Sequence, residues 1–304
     1  MARLNLTHLA TLREFARAGT MARAAEALGY THGAVSQHLS ELERVVGVPI
    51  LTRVGRRAVL TDAGRALAVE AEALLRAEER ARSVAGNGRI RGEVVLGTWG
   101  SAASALLGPL LAMCAERHPD LDVVSREVPV DDATRSVARG EVDLAFGLDY
   151  PDEPLARNAA TSIITVLTER FWLALPRGVA TPTGPRSLAD LAGEPWILPD
   201  PSTVMGKVAR RAFRRLSLEP TVKHEVNDTA ATLQLVAQGL GITLATDLQL
   251  SLFTRRPDVG PALVARHEIV QDITRDLVVL APADISQRAS LRAVIDVAQE
   301  VVPA

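Results

Sequence analysis

Apolar side chains recur at intervals of three and four residues along the first 47 residues, which is the pattern of amphipathic helices. Gly19 ends the first predicted helix, and Thr20 is the expected N-cap of the second, which runs from about Met21 to Leu28 and is rich in alanine. Thr31 is the expected N-cap of a third helix, which ends at Gly47. The pattern therefore predicts three consecutive helices joined by short turns.

The third predicted helix has two faces of different character. Its apolar face is expected to be buried and consists of Ala34, Val35, Leu39, Leu42, Val45 and Val46. The opposite face carries short or hydrogen-bonding residues, which are His32, Gly33, Ser36, Gln37 and Ser40. In a helix-turn-helix, such a face at the start of the second helix enters the major groove and contacts base edges. Thr31, His32, Gly33, Ser36 and Gln37 are therefore predicted to bind DNA.

Residues 48–61 predict two short strands around a Gly-Arg-Arg turn, which would form a basic wing. Arg53, Arg56 and Arg57 are expected to reach phosphate groups or the minor groove. Two helices joined by a turn also occur in proteins that never bind DNA. The added wing favours the DNA-binding interpretation.

Charge is spread unevenly along the chain, whose formal net charge is −2. Residues 1–60 contain eight arginines and four acidic residues, a net charge of +4, so the remainder carries −6. The histidines His8, His32 and His38 lie in this basic part, whose positive potential is expected to rise at mildly acid pH. The alternative is a basic, solvated surface without a function.

From Asp62 to about Val84 the sequence is nearly free of helix breakers after Gly64. A helix of that length extends about 34 Å, and its apolar stripe is too narrow to be buried in a globule. An antiparallel or parallel pair with a second subunit would bury it, through Leu67, Ala71 and Leu74. A solvated spacer helix within a monomer is the alternative.

After a break at residues 86–88, apolar strands alternate with amphipathic helices, which is an α/β pattern. The predicted strands cover residues 93–98, 121–127, 142–146, 171–175, 196–198, 222–226, 242–245 and 276–280. The predicted helices cover residues 102–117, 131–139, 204–216, 229–238 and 287–301.

Composition narrows the class of protein. At 304 residues and 47% hydrophobic residues the chain suits two or three domains with real cores. The single cysteine, Cys114, agrees with a reducing cytoplasm and excludes a cysteine-rich metal site, so neither a metal nor a cofactor is expected. No apolar run approaches the length of a membrane span, and charged residues interrupt the apolar positions of the N-terminus, so neither a signal peptide nor membrane attachment is expected.

The N-terminal part resembles the LysR-type transcriptional regulators. The resemblance is carried by Phe15, Ala24, Ala25, Leu28, Thr31, Ala34, Val35, Ser36, Leu39, Leu42, Glu43, Gly47, Val48, Pro49, Arg53, Leu60, Thr61, Ala63 and Gly64. The sequence departs from the family pattern at Thr20, Gly33 and Leu51, where serine, proline or serine, and phenylalanine are usual. Only Gly33 lies on the predicted reading face, where glycine removes an apolar contact to a thymine methyl group.

The remainder is similar to the effector domain of the same family, which has a two-lobed periplasmic-binding-protein-like fold. The resemblance is carried by Gly97, Leu110, Leu111, His118, Pro119 and residues 140–145, 188–192, 195–197 and 236–242. It implies a winged helix-turn-helix at 1–61, a dimerisation helix at 62–86 and an effector domain at 92–304. Sub-lobe I would cover about 92–165 and 267–304, and sub-lobe II about 166–266.

The resemblance also implies partners. These are double-stranded DNA with an inverted-repeat operator, a small-molecule effector, further copies of the chain in a dimer or tetramer, and RNA polymerase as a further candidate.

In such a fold, small molecules bind between the lobes at strand ends and helix starts. The candidate effector residues are Thr98, Trp99, Gly100, Ser101, Val130, Ser202, Thr203 and Asn227. Of these, Ser101, Val130, Ser202 and Thr203 match ligand-contact positions of the family. Helix capping explains the polar ones almost as well. Trp99 and Val130 are apolar, which favours a small, partly apolar carboxylate.

Two other classes of protein are the alternatives. An α/β enzyme is disfavoured because the sequence contains no Gly-x-Ser-x-Gly elbow, phosphate-binding loop, His-Glu-x-x-His motif or cysteine cluster. A solute-binding protein would need an export signal, and the N-terminus carries a basic helix-turn-helix pattern instead. The sequence therefore predicts a cytoplasmic regulator without catalytic activity.

Overall fold

The structure is a computed structural model that describes residues 3–55, 57–85, 90–157, 159–178, 184–254 and 264–302. The chain divides into two compact units. The first, here called the N-terminal unit, comprises residues 1–88 with 139–141. The second, the C-terminal unit, comprises residues 89–138 and 142–304.

Three helices open the N-terminal unit, as predicted: α1 (Leu6–Ala18), α2 (Met21–Leu28) and α3 (His32–Val46). The hydroxyl of Thr20 accepts a hydrogen bond from the backbone of Arg23, and that of Thr31 from the backbone of Ala34. The two expected threonine N-caps are thus confirmed. On α3, Val35, Leu39 and Leu42 are fully buried, whereas Ala34, Val45 and Val46 are only partly buried.

The wing consists of the antiparallel strands β1 (Leu51–Val54) and β2 (Arg57–Leu60). Strand β1 begins later than the predicted position near Val48. The reason is that the backbone N–H groups of Ile50 and Leu51 both donate to the carboxylate of Glu43 at 3.0 Å, so this stretch is held by helix α3 and not by a neighbouring strand.

Helix α4 (Asp62–Ala85) packs along α1 within the same subunit. Ala71 is 0% exposed in the core of the N-terminal unit, and Leu67 is packed against that core. The expectation that this stripe has no place to be buried within one subunit is therefore wrong for Ala71, whereas Leu67 is only partly buried. Leu74, in contrast, is 41% exposed, and Val69, about 140° away around the helix, is 58% exposed.

The first lobe of the C-terminal unit is a mixed sheet with the strand order β6-β11-β5-β3-β4. Its strands are β3 (Gly92–Thr98), β4 (Leu121–Glu127), β5 (Leu144–Asp149), β6 (Thr161–Pro176) and β11 (Thr274–Pro282). Its helices are α5 (Gly100–Ala102), α6 (Gly108–Arg117), α7 (Ala133–Ala138) and α12 (Ala289–Glu300). A π-helical turn, Ala103–Leu107, joins α5 to α6.

The second lobe is built on the far half of β6, which pairs with β9 (Thr243–Thr246) and β10 (Val264–His267). Strands β7 (Trp196–Leu198) and β8 (Val222–Glu225) form a parallel pair beside β9. The helices are α8 (Leu188–Leu191), α9 (Val204–Arg214), α10 (Thr229–Ala237) and α11 (Asp247–Thr254). The sequence analysis missed α8, α11, β10 and the first half of β6.

The two lobes are joined through a continuous strand. Strand β6 pairs with β11 through Arg170 and with β9 from Phe171 onward. The expected lobe boundary at residue 166 thus falls inside β6, and the change of partner occurs at residues 170–171. None of the described helices is both long and apolar enough to cross a lipid bilayer.

Candidate functional site

The predicted reading face lies on the surface of the N-terminal unit. Thr31, His32, Gly33 and Gln37 are exposed, and Ser36 is partly exposed. A Cβ atom added at Gly33 would have only the Thr31 Oγ1 atom within 4 Å, at 3.9 Å. Packing therefore does not require glycine there, and its effect is to leave space on the surface that would meet DNA.

Glu43 holds the wing to the helix that carries the reading face. Its Oε1 atom accepts the N–H groups of Ile50 and Leu51, which lead directly into β1. On the other side of the hairpin, a Cβ atom at Gly64 would lie 2.1 Å from the carbonyl oxygen of Ile50, so no larger residue fits without moving the backbone. The wing is thereby fixed to both α3 and α4. Sequence reasoning assigned Glu43 no role beyond the family resemblance.

The arginines of this unit fall into two groups. Arg13, Arg17 and Arg44 each lie within 4 Å of a carboxylate in the same unit. Arg53 and Arg57 are exposed on the two wing strands, and no carboxylate is recorded within 4 Å of either among the residues that the structure describes. Arg56 lies outside the described residues. The wing thus presents cations that are not neutralised by the described part of the protein, as phosphate contacts require.

A cluster of rings that the sequence analysis missed joins α1 to α3. The rings of His8 and His38 are stacked with their centroids 4.6 Å apart, and the ring of Tyr30 meets that of His38 edge-on at 5.3 Å. The Thr11 hydroxyl lies 2.9 Å from His38 Nδ1, within hydrogen-bonding distance. Burial, together with the nearby His38, lowers the pKa of His8 despite the opposing effect of Glu41. His8 therefore adds less positive charge at mildly acid pH than expected.

A cavity of about 540 Å³ lies in the C-terminal unit. This volume is in the range of about 300 to 1,000 Å³ that is usual for small-molecule sites. Among the residues predicted to contact an effector, the cavity wall includes Trp99, Ser101, Val130, Thr203 and Asn227. Both lobes contribute to the wall, since Trp99 follows β3 and Thr203 precedes α9.

Three predicted effector residues are not part of the cavity wall. Ser202 is exposed and directs its hydroxyl and its backbone N–H to the carboxylate of Asp200, at 2.6 and 2.8 Å. Gly100 instead faces the carboxylate of Asp228, which caps α10. Thr98 is buried at the end of β3, and its hydroxyl has no hydrogen-bond partner among the described residues.

The helix that follows β3 begins in an unusual way. Its N-cap residue is Trp99, whose side chain cannot cap, so Ser101 lies inside the first turn and is not the capping residue. Ser101 is nevertheless buried in the cavity wall. The π-helical turn directly after it is of a kind that often occurs at functional sites. Capping does not explain Ser101, but it does explain Thr203, whose hydroxyl accepts from Gly206 N–H at 3.1 Å.

The structure adds polar cavity residues that the sequence analysis missed. They are Asp131, Thr134, Arg135, Tyr150, Glu153, Thr232, Thr243, Gln249 and Arg275. The most unusual is Arg275, whose side chain is 2% exposed and which pairs with Glu169, itself 3% exposed, at 2.8 Å. A single arginine at the start of an apolar strand was the only signal of it in the sequence.

Burial affects the ionisation of Tyr150 and Arg275. It raises the pKa of Tyr150, although Arg275 acts in the opposite direction. Burial alone would lower the pKa of Arg275, but Tyr150 and Glu169 outweigh it and raise that pKa, so the guanidinium stays charged. In the described part of the chain, no group of three or more histidine, cysteine, aspartate or glutamate side chains is arranged to hold a metal ion.

Both units match known family models. Residues 6–65 match the model of the bacterial regulatory helix-turn-helix protein of the lysR family, and residues 87–303 match the LysR substrate binding domain. Among curated proteins, the small neutral protease regulatory protein of Streptomyces coelicolor is 30% identical over 84% of this chain and 76% of its own. The transcriptional regulator YfeR of Shigella flexneri is 27% identical over 97% of this chain and 94% of its own.

Solved structures agree on the fold. A full-length OxyR variant from Pseudomonas aeruginosa superposes with a TM-score of 0.72 at 18% identity, covering 99% of this chain and 95% of that one. Full-length CbnR in complex with its target DNA gives a TM-score of 0.69 at 20% identity, covering 98% of this chain and all of that one. Because the two family models together span almost the whole chain, this protein belongs to the LysR family of bacterial transcriptional regulators, with an N-terminal DNA-binding helix-turn-helix and a C-terminal effector-binding domain.

Proposed function

We propose that this regulator is controlled by a small, partly apolar carboxylate that binds in the cavity of the C-terminal unit. The observation that carries the proposal is the wall of that cavity. Trp99, Val130 and Leu148 supply apolar surface, and Arg275 is a buried cation of the wall. The wall also includes Asp131, Arg135 and Glu153, which are more exposed than Arg275. An apolar body and one anionic group would match that wall. No metal or organic cofactor is part of the proposal.

The DNA-binding side of the proposal is that Thr31, His32, Gly33, Ser36 and Gln37 contact base edges, while Arg53, Arg56 and Arg57 contact the backbone or the minor groove. It is supported by the exposure of the described residues of this set and by the cations of the wing, which lack a carboxylate partner among the described residues. CbnR, which shares the fold, has been solved in complex with its target DNA, and this supports the same kind of partner for the present chain. We expect an inverted-repeat operator, since two copies related by a twofold axis present two reading heads.

The oligomer is proposed to form along α4, through the apolar residues of that helix that stay exposed within one subunit. Ala71 is buried inside the subunit and Leu67 is partly buried, whereas Leu74 and Val69 remain exposed. An apolar groove between α4 and the segment before the wing is lined by Val48, Ala66 and Val69 among others. A second α4 helix could bury this surface, giving a dimer that assembles further into a tetramer.

This seam can be tested by sedimentation of the full chain. Val69→Glu and Leu74→Glu are expected to dissociate the dimer and to abolish binding to a DNA with two half-sites, because each places a charge in an apolar interface. Ala71→Glu is the contrasting variant, since it places a charge in the core of the N-terminal unit and should unfold that unit instead. Variants at 69 and 74 that remain fully dimeric would place the interface elsewhere.

Catalysis is not part of the proposal. The described wall of the cavity contains neither histidine nor cysteine, so the usual partner or thiol of a nucleophilic site is missing there. A solute-binding role is disfavoured by the helix-turn-helix match. Because bacterial DNA lies in the cytoplasm, we expect the protein to act there, with RNA polymerase as a candidate partner at the promoter.

The effector class can be tested with the full chain and a set of small acids, namely benzoate, phenylacetate and isovalerate. Binding in the cavity is expected to change the fluorescence of Trp99, and Trp99→Phe should remove that change. The same acid is expected to alter affinity for a DNA fragment taken from upstream of the gene, because an effector acts through unequal affinity for two states of the protein. Acids that bind without altering DNA affinity would contradict regulation through this cavity.

A further inference from the structure

Tyr150, Arg275 and Glu169 form one row across three neighbouring strands. Arg275 of β11 is the direct cross-strand partner of Glu169 of β6. Strand β5 pairs Asp149 with Asp276, so the next position of the same antiparallel register places Tyr150 opposite Arg275. Directly opposed residues lie on the same face of a sheet. The row therefore spans the sheet at the point where β6 passes from one lobe to the other.

One end of the row is saturated with hydrogen bonds. Glu169 Oε2 accepts from Arg275 Nε at 2.8 Å, and Oε1 accepts from the backbone N–H of Leu248 at 3.1 Å. Arg275 Nη2 lies 2.8 Å from Glu169 Oε2 and donates to the Thr246 hydroxyl at 2.9 Å. The carboxylate thus serves several donors, and its charge is shared among them. Two of the three guanidinium nitrogens are committed to this side.

The other end of the row faces the cavity. Tyr150 and Arg275 both contribute to the cavity wall, and Nη1 is the guanidinium nitrogen for which no hydrogen bond is recorded among the described residues. The tyrosine hydroxyl donates its own proton to the sulfur of Met205, at 3.6 Å. A thioether is a weak hydrogen-bond acceptor, so the tyrosine hydroxyl can readily donate its hydrogen bond to a stronger acceptor instead. A carboxylate in the cavity would be such an acceptor.

A buried ion pair is a poor means of stabilising a fold, because desolvation of both charges offsets much of their attraction. Apolar residues at 169 and 275 would serve packing as well or better. The location of the pair, with one partner in a ligand-sized cavity, suggests binding as the reason for the charge. Within a site shielded from water, a guanidinium and a phenol hydroxyl are strong partners for a carboxylate.

We propose that the carboxylate of the effector is bound by Arg275 and Tyr150 at the crossing of the strands, and not by the helix start at Ser101. The tyrosine hydroxyl then donates to the ligand in place of Met205, and the guanidinium donates from its cavity side. The apolar body of the ligand lies toward Trp99 and Val130. This assignment rests on the proposed function, since it presupposes a carboxylate effector.

The experiment compares each of the three acids, benzoate, phenylacetate and isovalerate, with its primary amide, which has the same shape and no charge. Calorimetry of the full chain is expected to show wild-type protein binding one of the acids at least about tenfold more tightly than its amide, as for hydrogen bonds to a charged group. Tyr150→Phe should weaken the acid about tenfold and change the affinity for the amide much less. Ser101→Ala, the matched variant at the competing position, should change both ligands alike.

Removal of Arg275 alone leaves Glu169 buried without a cation, so the double variant Arg275→Met, Glu169→Leu is used to keep the row neutral. It is expected to bind acid and amide equally, and circular dichroism checks that it has folded. If the preference for the acid survives in both Tyr150→Phe and the double variant, or is lost in Ser101→Ala, the assignment of the carboxylate to Arg275 and Tyr150 is wrong. The proposed effector class would not be affected by that result. Failure of every acid to bind the wild-type chain would overturn the effector class itself.

Discussion

The two functional regions of this protein present their polar chemistry in opposite ways. The DNA-reading surface uses exposed side chains from one helix and one hairpin, and its wing arginines have no recorded carboxylate partner in the described part of the chain. The cavity uses buried side chains from distant parts of the chain, such as Glu169 and Arg275, which are hydrogen-bonded to one another. The charges of an exposed DNA-binding surface are hydrated in the free protein. Charges in a buried site, in contrast, must be paired or hydrogen-bonded within the protein even when no ligand is bound.

The largest effect is expected at the buried ion pair of the cavity. Arg275→Met should lower the free energy of unfolding of the C-terminal unit by about 3 to 5 kcal/mol, because it leaves the Glu169 carboxylate buried and unpaired. Urea denaturation of the full chain measures this. The double variant that also carries Glu169→Leu should regain most of the loss. A single variant as stable as wild type would mean that water reaches the pair and that the site is not truly buried.

A smaller effect is expected where a carboxylate supports the exposed region. Glu43→Ala removes the acceptor of two backbone N–H groups at the base of the wing and should cost about 2 kcal/mol of stability in the N-terminal unit. It should also weaken binding to any DNA, since the wing is no longer held. Glu41→Ala is the control, because the ion pair of Glu41 with Arg44 is exposed and its loss should change stability much less. If the two variants lower stability and DNA binding equally, Glu43 does not hold the wing in place.

Within the exposed region, the contributions of base recognition and of charge to DNA binding can be measured separately. Gln37→Ala should lower discrimination between operator and random DNA by about 1 to 3 kcal/mol with little change in salt dependence. Arg53→Ala should weaken both and reduce the slope of log affinity against log salt by about 0.9. Titrations by fluorescence anisotropy at several salt concentrations distinguish them. If Gln37→Ala leaves discrimination unchanged, that side chain does not read bases.

The smallest expected effect concerns an exception to the comparison, the half-buried His8 in the DNA-binding unit. Its pKa lies below the ordinary value of 6.5, chiefly because of burial, so the unfolded chain takes up a proton before the folded one. The stability that neutral His8 contributes is present above pH 6.5 and is lost as the pH falls through the lowered pKa. Unfolding midpoints measured at about pH 7.5 and about pH 5.5 should differ less in His8→Gln than in wild type. An unchanged difference would show that other groups cause it.

Helix positions of the N-terminal unit could be predicted from sequence because caps and apolar spacing are local signals. Thr20 and Thr31 cap the helices that they were expected to cap, and α2 has its expected bounds. The error about Ala71 has a physical reason. An apolar stripe shows that a helix is covered, but the pattern does not show whether the covering helix belongs to the same chain, as α1 does here.

The effector cavity was only partly predictable for a similar reason. Trp99, Ser101 and Thr203 could be found because each stands at the junction of a strand or loop with a helix. Arg275 and Tyr150 could not, because their meeting depends on the strand order of the sheet and on a register between segments more than 100 residues apart. No local spacing encodes that register. Ser202 was predicted by the same junction rule, but its hydrogen bonds to Asp200 hold it outside the cavity.

The continuity of β6 has a mechanical consequence. Its 16 residues carry ladder hydrogen bonds to β11 on one lobe and to β9 and β10 on the other, and the register with β11 shifts at Leu277 and Val278. A sharp bend between the lobes would break several of these bonds, whereas a change of twist, which such irregularities accommodate, would keep them. We therefore expect the strand to resist opening of the lobes more than a small rotation of one lobe against the other, which a ligand bound beside it could cause.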